Sequence, residues 1–183
     1  MKNRLEEKYH KEVVEAFRKK FGVKNVMAVP RVKKVVINSG IGKYLKEKEA
    51  TDEIFESLKI IAGQRPVLAK SKKSISGFKI REGQEIGVVV TLRGRRMWDF
   101  LERLINVALP RVRDFQGIDA KNFDERGNLN FAVKEHFVFP EIVAEEVKNI
   151  FSLQITVVNS AKNREEGIEF LKMLGFPIKS QDA

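Results

Sequence analysis

The stretch IGVVVTLRGRRMWDFLERLINVALP, residues 86–110, carries two periodicities back to back. Ile86 to Leu92 is almost continuous in Val and other apolar residues, the composition of a strand. From residue 95 the apolar positions become Met97, Trp98, Leu101, Leu104, Ile105 and Ala108. That three-and-four spacing is one face of a helix over 95–109, and Pro110 marks its stop. A strand running straight into an amphipathic helix predicts a sheet covered by helices on one side.

The flanking segments extend the pattern. Over 4–21 the residues Leu5, Tyr9, Val13, Phe17 and Phe21 recur every fourth position, a helix closed by Gly22. Lys19 and Lys20 in its last turn suit the helix dipole, or equally an RNA contact. Pro30 opens a β-branched strand from Val32 to Ile37, ending in Asn38-Ser39-Gly40. A helix over 52–62 turns Ile54, Phe55, Leu58, Ile61 and Ala62 inward, with Thr51 as N-cap and Gly63 just past its end. Strands follow near 66–70, 129–135 and 153–158, and a last helix over 163–174 closes on Gly175-Phe176-Pro177.

The order α-β-α-β-β-α-β-β-α, without a Gly/Ser/Pro-rich linker or a repeat, predicts one α+β domain over 1–183. Its sheet should be largely antiparallel, with helices on one face, the other face open, and a long basic hairpin loop at about 71–85.

Charge indicates the partner. The net charge is +10 and the pI about 9.8. Residues 1–100 hold 24 Lys/Arg against 12 Asp/Glu, a net of +12, while 101–183 hold 11 against 13, a net of −2. A charge spread for solubility alone would put about +5 in each half. The bias predicts one surface that meets a polyanion, nucleic acid before membrane, and another that does not.

Without Cys there is no disulfide, thiolate metal site or Cys nucleophile. The opening residues Met1 to Glu7 lack the apolar core of a secretory signal, and no run nears the ~18 apolar residues of a membrane span. The reading is cytoplasmic with no membrane partner. The 33% content of Asp, Glu, Lys and Arg leans weakly toward a thermophilic source.

No catalytic constellation emerges. His10 and His136 are the only histidines, and neither has a partner at triad or metal-ligand spacing. The acid pairs Glu6-Glu7, Glu145-Glu146 and Glu165-Glu166 are helix neighbours that point apart. Gly40-Ile41-Gly42-Lys43 follows a strand as a phosphate loop would. Ile37, Tyr44 and Leu45 stand where such loops or a dinucleotide fingerprint need Gly, Ser/Thr and Gly. The expectation is a non-enzyme with no cofactor and no metal.

Ser57 to Arg81 is 25 residues with seven cations (Lys59, Arg65, Lys70, Lys72, Lys73, Lys79 and Arg81) and no acid. Its centre adds Ser71, Ser74, Ser76, Gly77 and Gly83, with Ile75, Phe78 and Ile80 spaced among the charges. Cations would pair with phosphates, hydroxyls and backbone N–H groups would give neutral phosphate contacts, and Phe78 could stack on a base. A solvated, floppy loop is the plain alternative, and the Ser/Gly content leads us to expect disorder in its middle when free.

Asn38, Gln64 and Thr91 are neutral hydrogen-bonding residues amid apolar strands, rimmed by Lys33, Lys34, Arg65, Arg93, Arg95 and Arg96. On an open face they suit RNA sugar edges and phosphates. Asn and Thr also serve local turns, and Lys33-Lys34 could instead protect an edge strand. A general DNA-binding architectural protein is the rival reading. It would need an exposed recognition helix, and the 95–109 helix turns its apolar stripe inward.

Several motifs carry a family resemblance. They are Lys73-Ser74-Ile75, Phe78-Lys79, Arg81-Glu82-Gly83, Val90-Thr91-Leu92-Arg93-Gly94, Ala108-Leu109-Pro110-Arg111 and Arg113-Asp114-Phe115 with Gly117. Val36-Ile37-Asn38-Ser39-Gly40-Ile41-Gly42 and Gly63-Gln64-Arg65-Pro66 join them. Over essentially the whole chain the sequence resembles the bacterial form of the large-subunit ribosomal protein five family, the universal L-five family.

The resemblance implies a structural ribosomal protein, a monomer within the ribosome, that attaches 5S rRNA to the large subunit in the central protuberance. It implies 5S rRNA contacts at Asn38, Gln64 and Thr91, to which the charge pattern adds Lys33, Arg65, Lys70 and Arg93. It implies a loop reaching the P-site tRNA elbow through Lys72, Lys73, Ser74, Ser76, Phe78, Lys79 and Arg81. It further implies neighbours in 23S rRNA and large-subunit proteins. A bridge to small-subunit protein thirteen would be placed at Arg111 to Asp114 and Phe137 to Glu141, with Arg111, Arg113, Phe139 and Glu141 as its candidates.

Overall fold

The structure is a computed structural model that describes residues 3–45, 47–143 and 147–179. Glu145-Glu146 and the tail Gln181-Asp182-Ala183 lie outside the described residues.

The first helix, α1, runs as Arg4–Lys8, a π turn Tyr9–Val13, and Val14–Phe21. The π turn explains how its apolar residues can recur every fourth position. An ideal helix over-rotates by about 40° at each four-residue step, so the stripe would wind away from the core. One wider turn absorbs that drift. Leu5, Tyr9, Val13 and Phe17 are all buried as a result. Asn3 caps the start by accepting from Leu5 N at 2.8 Å, and Gly22 ends it in the left-handed region, φ 65°.

Strand β1 is Val32–Gly40, β2 Val67–Lys70, β3 Glu85–Leu92, β4 Leu129–Val133 and β5 Leu153–Asn159. Helix α2 is Lys48–Ala62. It begins earlier than the expected start at 52, and Thr51 lies inside it, its hydroxyl donating to Glu47 O at 3.3 Å instead of capping. Helix α3 is Gly94–Arg103, a π turn Leu104–Ala108, and Leu109–Arg111. Pro110 does not stop it. A proline cannot donate to the carbonyl four residues back. The π turn shifts the ladder, so that Leu109 N bonds Leu104 O and the chain passes through Pro110 to Arg111. Helix α4 is Arg164–Leu174, ended by Gly175 at φ 116°.

The five strands form one sheet in the order β2-β3-β1-β5-β4, every pair antiparallel. This is the expected α+β architecture. β1 is central, which removes edge protection as the role of Lys33-Lys34. Lys33 instead sits in a register shift of the β1–β5 pairing. Asn38 does not end its strand. It is paired across to Val89 on one side and Gln154 on the other.

Alternate strand positions are buried. Val35, Ile37, Val88, Val90, Leu92, Ile155 and Val157 face a core shared with Ile54, Leu58, Phe100, Leu101, Leu104 and Phe170. Burial of a large apolar side chain stabilises by roughly 1.5–3 kcal/mol, so this face holds the sheet to the helices. At its margin α4 meets the turn before β4 backbone to backbone. A Cβ on Gly167 would lie 2.4 Å from Gly127 O. Buried Asn159 seals that contact, donating from Nδ2 to Gly127 O at 2.6 Å.

Candidate nucleic-acid interface

The intervening positions make the opposite face, and the strand register arranges them in rows. One row crosses Val67, Val89, Asn38, Gln154 and Ala132, and the next crosses Thr91, Val36, Thr156 and Asn130. A third is almost bare of side chains: Ala69, Gly87 and Gly40. No row contains an acid. Asn38 and Thr91 therefore share the open face, one row apart, as the sequence predicts.

Gln64 joins them from the turn before β2. Its Nε2 donates to Thr91 O at 3.2 Å, and its Oε1 accepts from Arg96 Nη1 at 3.3 Å. The side chain thus fixes an arginine beside the face as well as offering a polar edge. The other half of this surface carries no charge signal in the sequence. Gln154, Thr156 and Asn130 are polar on the same face, and Thr156 Oγ1 donates to Asn130 Oδ1 at 2.6 Å. Their signal was the alternation of Leu153, Ile155 and Val157 with Gln154, Thr156 and Val158.

The antiparallel pairing divides the cations between two ends of the sheet. The start of β1, the end of β3 and the turn into β2 gather Lys33, Arg65, Arg93, Arg95 and Arg96, all exposed. Arg95 approaches Asp99 at 3.8 Å on the helix surface. The far end carries Lys70 and the connection from β2 to β3. Eight residues of β3 separate the ends by roughly 25 Å. Lys70 therefore lies with the connection, not with Lys33, Arg65 and Arg93.

Residues 71–84 join neighbouring antiparallel strands and hold more local order than their composition leads to expect. Ser71 N donates to Gln84 O at 2.8 Å and Gly83 N to Ser71 O at 2.9 Å. Ile75 and Ile80 exchange backbone bonds of 2.9 and 3.1 Å, and Ser74 Oγ accepts from Glu82 N at 2.9 Å. Lys79 takes a left-handed conformation, φ 55°, at the tip. Lys72, Lys73, Ser76, Lys79 and Arg81 are exposed, and Phe78 is 75% exposed.

The candidate protein-facing residues separate. Arg111 and Arg113 are exposed. Phe139 is 1% exposed and stacks on Phe100 with ring centroids 5.8 Å apart, so its ring belongs to the core and is corrected from the surface set. Glu141 is half-buried and paired with Arg103, which also donates to Ile61 O at 3.1 Å. Its carboxylate is engaged in holding α2 and α3 together.

His136 is fully buried, flat against Phe151 at 3.8 Å between centroids, with neither ring nitrogen in a well-formed hydrogen bond. Burial pushes its pKa down, against upward pulls from the Glu53 carboxylate and the Phe151 backbone. Glu53 accepts from Lys148 N at 3.0 Å and Asn149 Nδ2 at 2.7 Å, tying the segment before β5 to α2. Burial works to raise the Glu53 pKa, and these hydrogen bonds outweigh it, leaving it lowered. Among the described residues no cluster of three His, Cys, Asp or Glu side chains could hold a metal. No described helix is long and apolar enough to cross a membrane.

Comparison with known proteins matches this chain to two family segments. Residues 25–81 match the family described as "Ribosomal protein L5", and residues 85–178 match "ribosomal L5P family C-terminus". Both segments build the same sheet, since β1 of the first lies between β3 and β5 of the second. The chain is 52% identical over 176 residues to the large ribosomal subunit protein uL5 of Geobacter sulfurreducens, covering 96% of this chain and 98% of that one. It is 49% identical to the same protein of Geotalea daltonii over 97% of this chain and 99% of the relative. The uL5 of Leuconostoc mesenteroides is likewise 49% identical, with 97% and 99% covered. The chain therefore belongs to the ribosomal protein L5 family and is a structural, rRNA-binding, non-enzymatic constituent of the large ribosomal subunit.

Proposed function

We propose that the open sheet face binds 5S rRNA and helps attach it to the large subunit in the central protuberance. The observation that carries this reading is the character of the face: five strands wide, free of acids, dotted with neutral hydrogen-bonding side chains, and bounded at one end by exposed Lys33, Arg65, Arg93 and Arg96. Neutral groups read sugar and base edges, while the cations meet phosphates. At the end of the Ala69, Gly87 and Gly40 row, Gly40 is exposed with nothing within 4 Å of where a Cβ would lie, which allows a backbone to approach closely.

The hairpin at the opposite end serves a second RNA, the P-site tRNA elbow, through Lys72, Lys73, Ser74, Ser76, Phe78, Lys79 and Arg81, with Lys70 at its base. Its separation from the Lys33 end and the exposure of Phe78 support that division. Arg111 and Arg113 remain the residues to meet small-subunit protein thirteen, being exposed and in the less basic half. 23S rRNA and adjoining large-subunit proteins take the remaining contacts.

The test is the triple substitution Asn38→Ala/Gln64→Ala/Thr91→Ala, measured for 5S rRNA affinity against salt. Loss of contacts that are buried in the complex costs roughly 1–3 kcal/mol each. A triple variant that folds and binds 5S rRNA like the parent would refute the site. Equal affinity of the parent for duplex DNA and 5S rRNA would favour a general architectural role instead.

A further inference from the structure

The turn between α1 and β1 displays an apolar tip. Lys24, Asn25, Val26, Met27 and Ala28 are all exposed, Val26 at 51% and Met27 at 88%. The tip is built rather than loose. Asn25 Oδ1 accepts from Met27 N at 2.9 Å, Ala28 N donates to Asn25 O at 3.1 Å, and Val29 N donates to Val26 O at 3.2 Å. Arg18 braces the approach, donating to Val23 O at 3.3 Å and Lys24 O at 3.1 Å, while Val29 anchors the exit in the core. An unbranched, polarizable side chain is thereby held in water on a fixed turn.

The surroundings point to the occupant. From Ala16 to Lys46 the sequence has nine cations and no acid, a longer acid-free run than the one at 57–81. The turn leads within a few residues to Val32, so it lies at the same end of the sheet as Lys33, Arg93 and Arg96. A protein partner would be drawn here by acids of its own. An RNA supplies both phosphates for the cations and flat apolar base faces for the methionine.

We propose that Met27, with Val26, packs against an unstacked nucleobase of the RNA that occupies the open sheet face, so that the Lys24–Ala28 turn is an apolar anchor of the RNA interface. This rests on the 5S rRNA reading above. Apolar contact of this kind adds affinity without releasing counterions, whereas Lys24 and Arg31 beside it act through phosphates.

The experiment titrates the full chain with 5S rRNA over a range of salt, using Met27→Ala, Met27→Leu and Lys24→Ala/Arg31→Ala. Met27→Ala is expected to bind about tenfold more weakly, with the parent's slope of log affinity on log salt. Met27→Leu is expected to restore most of the loss. The double cation variant is expected to flatten the slope. With Met27 this exposed, the melting temperature of Met27→Ala should equal the parent's, and a binding loss is then one of contact. Parent-like 5S affinity in Met27→Ala overturns the proposal, even if incorporation into the large subunit falls, since that pattern marks a different partner in the subunit, 23S rRNA or a protein. A salt slope that changes in Met27→Ala also overturns it. Failure of the parent to bind 5S rRNA would instead refute the underlying reading.

Discussion

Replacing His136 with Phe should raise stability and remove a pH dependence. The ring is fully buried, lies flat on Phe151, and leaves two polar nitrogens without good hydrogen bonds. An unsatisfied buried polar group costs roughly 1–3 kcal/mol. A phenyl ring keeps the stacking and removes that cost, less what its larger size loses in fit, so His136→Phe should gain about 1–2 kcal/mol at pH ~7.5. The sign of the pH effect follows from linkage. The native pKa lies below that of the unfolded chain, so acid protonates the unfolded state first. Parent stability should therefore fall as pH drops through the ordinary histidine value of about 6.5 and level off below the native pKa. His136→Phe should show no loss in that window. Its acid limb should begin lower, near the ordinary carboxylate range, and run until the lowered Glu53 carboxylate itself takes a proton and releases Lys148 and Asn149. Urea unfolding followed by the fluorescence of Trp98 at several pH values measures both. The control is His10→Ala, since His10 is exposed on α1. Parallel loss in parent and His136→Phe between pH ~7.5 and ~5.5 would refute the reasoning.

Gly167→Ala should lower the melting temperature sharply, because the new methyl would sit 2.4 Å from Gly127 O, a backbone atom; overpacking of this type costs ~1–3 kcal/mol or more, and an unchanged calorimetric transition would show that α4 can shift freely. Phe139→Ala should destabilise by about 3–5 kcal/mol in denaturant unfolding, and a surface-like effect near zero would return the ring to the protein-facing set. Lys72→Ala/Lys73→Ala/Lys79→Ala should impair tRNA contact in assembled ribosomes, read by crosslinking, far more than 5S rRNA binding. Equal loss of both would end the division between the two ends of the sheet.

Local periodicity carried most of the elements. The strand at 86–92, the stripe from Met97 to Ala108 and the glycine stops at 22, 63 and 175 all record short-range physics, and they sit in the structure as read. Pairing partners are set by contacts between residues far apart in sequence, which no local period records. Nothing local tells that β1 is central, that Asn38 faces Gln154, or that Lys70 lies at the opposite end from Arg65. The four-residue spacing of α1 did encode its π turn, but only to a reader who subtracts 3.6 from 4. The burial of Phe139 is not legible in the sequence because it follows a short 3-10 turn, His136–Val138, where no period assigns a side to a residue. Asn130, Gln154 and Thr156 form a neutral part of the face that lies outside the basic first hundred residues, so no charge signal marks them in the sequence.

The place of β1 in the sheet has a consequence for how the protein is made. Its two partners are β3, some fifty residues later, and β5, about 120 residues later. As the chain is synthesised, β1 emerges with both edges unpaired, and its Val-rich inner face has no cover until the partners follow. Such long-range pairing makes folding slow and leaves open edges prone to association in the meantime. The acid-free segment 16–46 contains this strand and a second, 57–81, follows it, so neighbouring nascent copies carry like charge and repel one another while they wait. The positive field that serves RNA in the finished particle thus also guards the half-made chain.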